Sequence, residues 1–348
     1  MNVQMRFSIL WVAVPLVLFG ASASAQVIPW TAHTRGRMID VYDPGESPEH
    51  LLATGLTFAA LSNAAYEDDP IARRLDAEDA HFDVLHFEER PGTDAQAFVV
   101  RDNRAIVVAI RGTEMDSPLD VLLDASVVTS NGIFKGAHAG FASAVYSLAP
   151  SVTDVIRDAK ARDPRLQVWL TGHSLGGAMA QIYAMHLRDV GIRVDGVVTF
   201  GAPAPGKSDF SVFYGGLAER THRFENEEDI VPCMPPDQVA WIQNGHTHVV
   251  YADRVDDYAP GGSECDSVPA AAMGALFCDA PPKWRRFLGV VLVPGSTVTC
   301  EIPDPLRAFG DVLLDVVGGR GGALHGIESY LGRISARIPR RVEALIGS

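Results

Sequence analysis

Positive charge is scarce in this chain: Lys and Arg number 29 against 43 Asp and Glu, a net charge of −14. Nucleic acid and anionic lipid headgroups are thereby excluded as main partners, because phosphate contacts need clustered Lys and Arg. Long apolar runs are also lacking. Beyond the N-terminus no stretch reaches the about 18 apolar residues that a bilayer span requires. Cysteine is sparse and confined to the last third, as Cys233, Cys265, Cys278 and Cys300. No two of them have C-x-x-C spacing, which argues against a zinc site, and their even number predicts two disulfides in an exported chain. No internal repeat or low-complexity tract occurs.

The N-terminus is where apolar character concentrates. Met1 to Arg6 is short and positively charged, Phe7 to Gly20 is apolar but too short to span comfortably, and Ala23-Ser24-Ala25 offers small residues for cleavage. This pattern predicts a secretory signal, residues 1–25, removed after Ala25. About 320 residues remain, enough for one large α/β domain over 26–348. An acidic secreted chain of that size suits an enzyme acting on neutral substrates.

Apolar periodicity predicts a mostly buried helix over His50 to Tyr66 and strands at 95–100 and 105–110. A helix follows from Phe141 to Ala161. The apolar strand 166–171 leads into a helix from Gly177 to Asp189, and further strands fall at 194–200, 220–224 and along "HTHVVYAD". Strands alternating with helices of about 10 to 20 residues indicate βαβ units and a central, mainly parallel sheet flanked by helices. From 259 to 305 the composition turns rich in Pro, Gly and Cys, as an irregular stapled insertion would. Helical character returns at 305–317 and from Ala323 to Ile338.

The chemistry gathers at "VWLTGHSLGGAMAQIYAMHL", residues 168–187. Gly172-His173-Ser174-Leu175-Gly176 matches G-x-S-x-G, a weak signal alone. Between a strand and a helix it describes a nucleophile turn, with the serine hydroxyl held open at the carboxyl end of the sheet. The following helix N-terminus favours negative charge developing beside it. A serine nucleophile needs a base, and the base an orienting carboxylate, in the chain order Ser, acid, His. "RFENEEDIVPCMPP" offers Glu225, Glu227, Glu228 and Asp229, among which the residues alone do not choose. His246, His248 and His325 remain as bases. His246 and His248 share one strand face, a weak hint of a metal pair.

"AIRGTE", "HAGF", "TGHSLGGAMA", "TFGAPAPG", "NEEDIVPCMPP" and "HGIESYL" occur together and in order, and with them the chain resembles the fungal-type, class 3 lipases of the α/β-hydrolase superfamily. The resemblance covers roughly residues 50–252 and 323–335. It implies the α/β-hydrolase fold, with Ser174 as nucleophile, Asp229 as orienter and His325 as general base. It also implies an oxyanion hole from Thr113 and the N–H of Leu175, and a structural role for His138. The implied activity is hydrolysis of acylglycerols through an acyl-enzyme, with no metal or organic cofactor. Other ester hydrolases of this fold are the alternatives (phospholipase, feruloyl esterase, polyester depolymerase), with an inactive secreted binding protein further off.

Two departures from the family bear on substrate preference. The stretch after Thr113, "EMDSPLDVLLDAS", lacks the tryptophan that the family often carries in its lid, with Val121 standing near its place. The separation of Asp229 from His325 is lengthened by the 259–305 insertion. Leu119, Leu122 and Leu123 with Val121 form an apolar side to that stretch, suited to transient contact with a lipid interface.

Overall fold

The computed structural model describes residues 41–67, 82–93, 95–112, 129–130, 134–227, 229, 231–234, 241–251, 255–258 and 326–335. The signal segment 1–25, Thr113 with the leucine-bearing stretch after it, Glu228, the 259–305 insertion, the helix expected at 305–317 and His325 lie outside the described residues.

The strands are β1 (Asp83–Arg90), β2 (Ala95–Arg101), β3 (Ala105–Ile110), β4 (Gln167–His173), β5 (Gly196–Phe200), β6 (Gly206–Lys207), β7 (Thr221–Asn226), β8 (Trp241–Ile242), β9 (His246–Val250) and β10 (Val255–Tyr258). Eight of them form one sheet in the order β1-β2-β3-β4-β5-β7-β9-β10, and β6 with β8 makes a small second ribbon. From β3 through β9 every pairing is parallel. The flanks are antiparallel, β1 on β2 and β2 on β3 at one side, β10 on β9 at the other. The central strands are continuous apolar runs because both faces are covered: every residue of "AIVVAI" in β3 and of "GVVTF" in β5 is buried.

Helices α2 (Ala139–Arg162) and α3 (Leu175–Asp189) lie on one face, where Val145, Leu148, Val152, Ala180 and Ile182 pack with Ile106, Val108, Leu170 and Val197. Helices α1 (Pro48–Ala64) and α5 (Ile327–Ser335) take the other face. There Phe58, Leu61, Tyr330 and Ile334 pack with Val107, Trp169, Val198, Phe200 and Phe224. A short helix, α4 (Ser208–Tyr214), and a 3-10 turn (Gly215–Arg220) lead into β7. Alternate residues of each central strand therefore feed two separate cores.

Local signals set the helix starts. Ser47 caps α1 by accepting the His50 N–H at 3.3 Å, with Pro48 in the first turn where its missing N–H is not needed. His138 caps α2 by accepting the Phe141 N–H at 3.4 Å through Nδ1. The helix expected from Gly177 begins two residues earlier, at Leu175, because Ser174 itself stands at the cap position. β1 was not legible in the sequence. It is a half-buried flanking strand with a register shift between Val84 and His86, so it shows neither a buried run nor clean alternation. Among the described residues, no helix is long and apolar enough to cross a membrane.

Candidate active site

The turn from β4 into α3 carries Ser174 at φ 56° and ψ −131°, the one non-glycine residue with positive φ among the described residues. L-residues avoid this conformation at a cost of order 1–3 kcal/mol, so it persists only where the surroundings enforce it. Two glycines provide the room. A Cβ on Gly172 would strike the Gly176 carbonyl, and one on Gly176 would strike the Ile110 carbonyl oxygen. The strand, the turn and the helix approach backbone to backbone, which any side chain at those positions would prevent. The Ser174 N–H donates to the Phe200 carbonyl at 2.9 Å, fixing the turn to the carboxyl end of β5.

The expectation of an open serine is corrected. Ser174 is 2% exposed, and its Oγ is buried with no hydrogen-bond partner among the described residues. The backbone strain thus aims the hydroxyl into a covered position. A buried, unpaired hydroxyl costs about 1–3 kcal/mol, a cost that folding stability alone gives no reason to keep. Leu175, whose N–H is the expected second oxyanion donor, opens α3 and is buried.

Beyond β7 the acids separate by partner. Glu225 is buried in an ion pair with Arg223 on the same strand. Burial raises its pKa, and the Arg223 guanidinium opposes that shift. Glu227 pairs with Arg333 of α5 at 3.3 Å. Asp229 takes a different set of partners: its Oδ1 accepts the Val231 N–H at 3.0 Å and its Oδ2 accepts the Tyr330 hydroxyl at 2.5 Å. It lies three residues past the end of β7, which pairs with β5 at the same edge of the sheet as Ser174.

Two tyrosines missed in the sequence organise this edge. Tyr330 of α5 donates to Asp229, accepts the Asn226 N–H at 3.0 Å, and sets its ring edge-on to His173, centroids 6.2 Å apart. Burial, and then the Asp229 carboxylate, push its pKa well above that of an ordinary tyrosine, so the hydroxyl keeps its proton. Tyr66, just past α1, joins its hydroxyl to His173 Nδ1 at 3.0 Å. It also stands where a Cβ on Gly112 would be, directly before Thr113. Tyr66 had only its place in an apolar helical pattern, which reads as core, and Tyr330 stood unassigned within the motif "HGIESYL".

The other histidines singled out in the sequence take partners of their own. His138 is buried between Phe141 and Trp241, and burial lowers its pKa to about 4. His246 and His248 do share a face, with the ring of His222 stacked against each. His248 joins Asp257 at 2.7 Å through Nδ1 and His222 at 3.0 Å through Nε2, so its nitrogens are occupied by protein partners. Among the described residues no group of His, Cys, Asp and Glu is arranged to hold a metal ion. Cys233, in the 3-10 turn after Asp229, is disulfide-bonded, and the other three cysteines lie outside the described residues.

A mainly parallel sheet, helices on both faces and a strained serine between strand and helix make up the α/β-hydrolase fold. Comparison with known proteins gives the same architecture. The structure aligns with lipase II of Rhizopus niveus at a TM-score of 0.56 and 21% identity, covering 63% of this chain and 90% of that one. It aligns with the Rhizomucor miehei triacylglyceride lipase at 0.57 and 24% identity, with 63% and 90% covered. Within that fold, residues 107–239 match the family described as Lipase (class 3), and the chain is similar to fungal-type class 3 lipases. A secreted mono- and diacylglycerol lipase of Fusarium solani is 31% identical over 147 residues, 41% of this chain and 44% of that protein. A Rhizopus niveus lipase is 27% identical over 175 residues, 45% and 44% of the respective chains. The chain thus spans under half the length of these two curated relatives.

Proposed function

We propose that this chain is a secreted carboxylic-ester hydrolase acting on acylglycerols, with Ser174 as nucleophile, His325 as general base and Asp229 as the carboxylate that orients it. The observation that carries the reading is Ser174 itself: a strained, buried hydroxyl with no partner among the described residues, on a strand-to-helix turn whose glycines admit no side chain. The names of the similar proteins, lipases and mono- and diacylglycerol lipases, support acylglycerols as the substrate class.

In this reading the His325 imidazole takes the Ser174 proton as Oγ attacks the ester carbonyl. The N–H groups of Thr113 and Leu175 receive the oxyanion, which helps most in a site sheltered from water. The alcohol leaves with the proton from His325, and an acyl-enzyme remains. Water then attacks the acyl carbon, His325 again accepting the proton, and the acid and free Ser174 are released. Asp229 holds the imidazole in the orientation and tautomer that this exchange requires. No metal or organic cofactor enters any step.

Two relatives named as secreted, from Fusarium solani and Penicillium cyclopium, favour export, and the proposal includes cleavage after Ala25 on the pattern of the N-terminal residues. The proposal extends to one catalytic domain over 26–348, two disulfides among the four cysteines, and transient contact with a lipid interface through the stretch after Thr113.

A fluorophosphonate reagent tests the core of this reading. The wild-type protein should be labelled on Ser174 and lose hydrolysis of triglyceride and p-nitrophenyl esters, and Ser174→Ala should not be labelled. A wild-type protein neither labelled nor active on any ester would leave a binding role for the fold. Rates along an acyl-length series then separate acylglycerol preference from that of other ester hydrolases.

A further inference from the structure

Tyr330 joins elements far apart in sequence. It lies on α5, is fully buried, and its hydroxyl bridges two groups about a hundred residues away: it donates to Asp229 Oδ2 at 2.5 Å and accepts the Asn226 N–H at 3.0 Å. Its ring meanwhile rests against Phe200 at the end of β5, centroids 6.0 Å apart, and against His173, the residue before Ser174. One side chain therefore touches the acid, the strand end that anchors the Ser174 N–H, and the nucleophile strand.

Beyond the function proposed above, on which this rests, we infer that Tyr330 is a positioning residue: its hydroxyl sets the orientation and charge of the Asp229 carboxylate and locks the acid loop to the helix that follows His325.

Asp229 has two oxygens, and each accepts a different donor. Oδ1 is held by the Val231 N–H of its own loop, and a loop bond of that kind forms whatever α5 does. Oδ2 is held from across the molecule. Without that second bond the carboxylate could rotate about its Cβ–Cγ axis, and the base oriented by it would lose its fixed direction. Helix α5 is itself pinned beside the acid loop by Asn226 Nδ2 to Ser329 Oγ at 3.2 Å and by Arg333 Nη1 to the Val250 carbonyl at 3.0 Å. α5 begins at Ile327, two positions after His325, so fixing this helix against the acid loop also fixes where the chain bearing the base enters it.

The sign of the electrostatic effect follows. A hydrogen bond from Tyr330 draws negative charge on Asp229 toward Oδ2 and weakens its pull on an imidazolium. Removing the hydroxyl makes the carboxylate a stronger partner for the protonated base and raises that base's pKa. The charged or titratable groups facing this pair are His173 across the ring, Glu225 with its partner Arg223, and the Glu227–Arg333 pair on the solvent side. None of these replaces the lost donor, because each is already engaged.

The experiment is Tyr330→Phe, which keeps the ring and its packing. Ester hydrolysis should show kcat lower by roughly ten-fold with KM nearly unchanged, since a charge-assisted hydrogen bond lost from a catalytic array is worth about that much. The acid limb of the kcat/KM profile should move to higher pH by about half a unit. In an Asp229→Asn background the same change should have little further effect, which identifies the carboxylate as the route and holds even if the single variant is less stable. A labelled, active wild type whose Tyr330→Phe variant keeps the wild-type kcat and pH profile overturns the positioning role alone, as does a variant with a lower Tm but an unmoved profile. A wild type that is unlabelled by fluorophosphonate and inactive on esters overturns both the role and the function it serves.

Discussion

The serine end and the acid end of the candidate site stand at the same edge of one sheet, yet they are built by opposite means. The Ser174 turn is assembled from neighbours in sequence: β4, Gly172, Gly176 and the first turn of α3 fall within a dozen residues or so. The acid end is assembled from a distance. Tyr330 reaches Asp229 across 101 positions, Asn226 meets Ser329 across 103 and Arg333 meets Glu227 across 106. The lesson is one of tolerance. The nucleophile end should fail when a single local steric rule is broken, and the acid end should degrade by steps as its long-range contacts are removed one at a time.

Five variants would break or sharpen this contrast. Ser174→Ala should lower kcat by on the order of 10⁶, as loss of a triad nucleophile does. It should leave Tm unchanged or raise it, because the deleted hydroxyl is buried and has no partner among the described residues. Ser174→Gly should be more stable still by about 1–3 kcal/mol, since glycine adopts φ 56° without strain. Urea unfolding of the three proteins checks the order, and a destabilised alanine variant would mean the hydroxyl is bonded in solution. At the acid end, Asp229→Asn should cost less, roughly 10⁴ in kcat, because the remaining members of the array still act.

Gly176→Ala tests how closely the turn is packed against β3. The added methyl meets the Ile110 carbonyl with no side chain able to yield, so a loss of about 3 kcal/mol in stability and of most activity is expected. Circular dichroism melts and labelling of the soluble fraction measure both. A variant with the wild-type Tm would show that β3 and α3 are less closely apposed than the backbone contacts require.

The smallest effect is on pH. Burial lowers the pKa of His138 to about 4 and of His222 to about 3, the latter helped by His248 and His246. Above the ordinary imidazole value of 6.5 both rings are neutral whether the chain is folded or not, and they leave stability unchanged. As pH falls from there toward 4 and then 3, the unfolded chain binds protons that the folded chain refuses, and stability declines. Tm should therefore drop between pH 6.5 and 4.5, and His222→Gln should make that drop shallower. An equally steep drop in the variant would assign the acid sensitivity to other groups.

Much of the fold was legible because its central strands obey one simple rule. β3, β4 and β5 are buried on both faces and appear as unbroken apolar runs, and α2 and α3 follow with helical periodicity. β1 escaped because a half-buried edge strand needs no such run, and its register shift removes the alternation that would otherwise betray it. Within the acid run, "ENEED" gave no means of choosing, since a carboxylate's partner is invisible in its own neighbourhood. The structure distinguishes these acids by what each faces: Arg223 for Glu225, Arg333 for Glu227, and Tyr330 for Asp229.

The Ser174 turn is what the sequence determined by itself. Its geometry depends on which residues can stand within a few positions of one another, and Gly-His-Ser-Leu-Gly between a strand and a helix states that directly. The tertiary structure alone decided that Ser174 is covered rather than open, that Tyr66 spans 107 positions to meet His173, and that Tyr330 clasps the acid loop. The physical reason is that a steric rule acts at contact distance along the chain. A hydrogen bond between groups a hundred residues apart exists only after the sheet has formed and the helices on its faces have brought the two together.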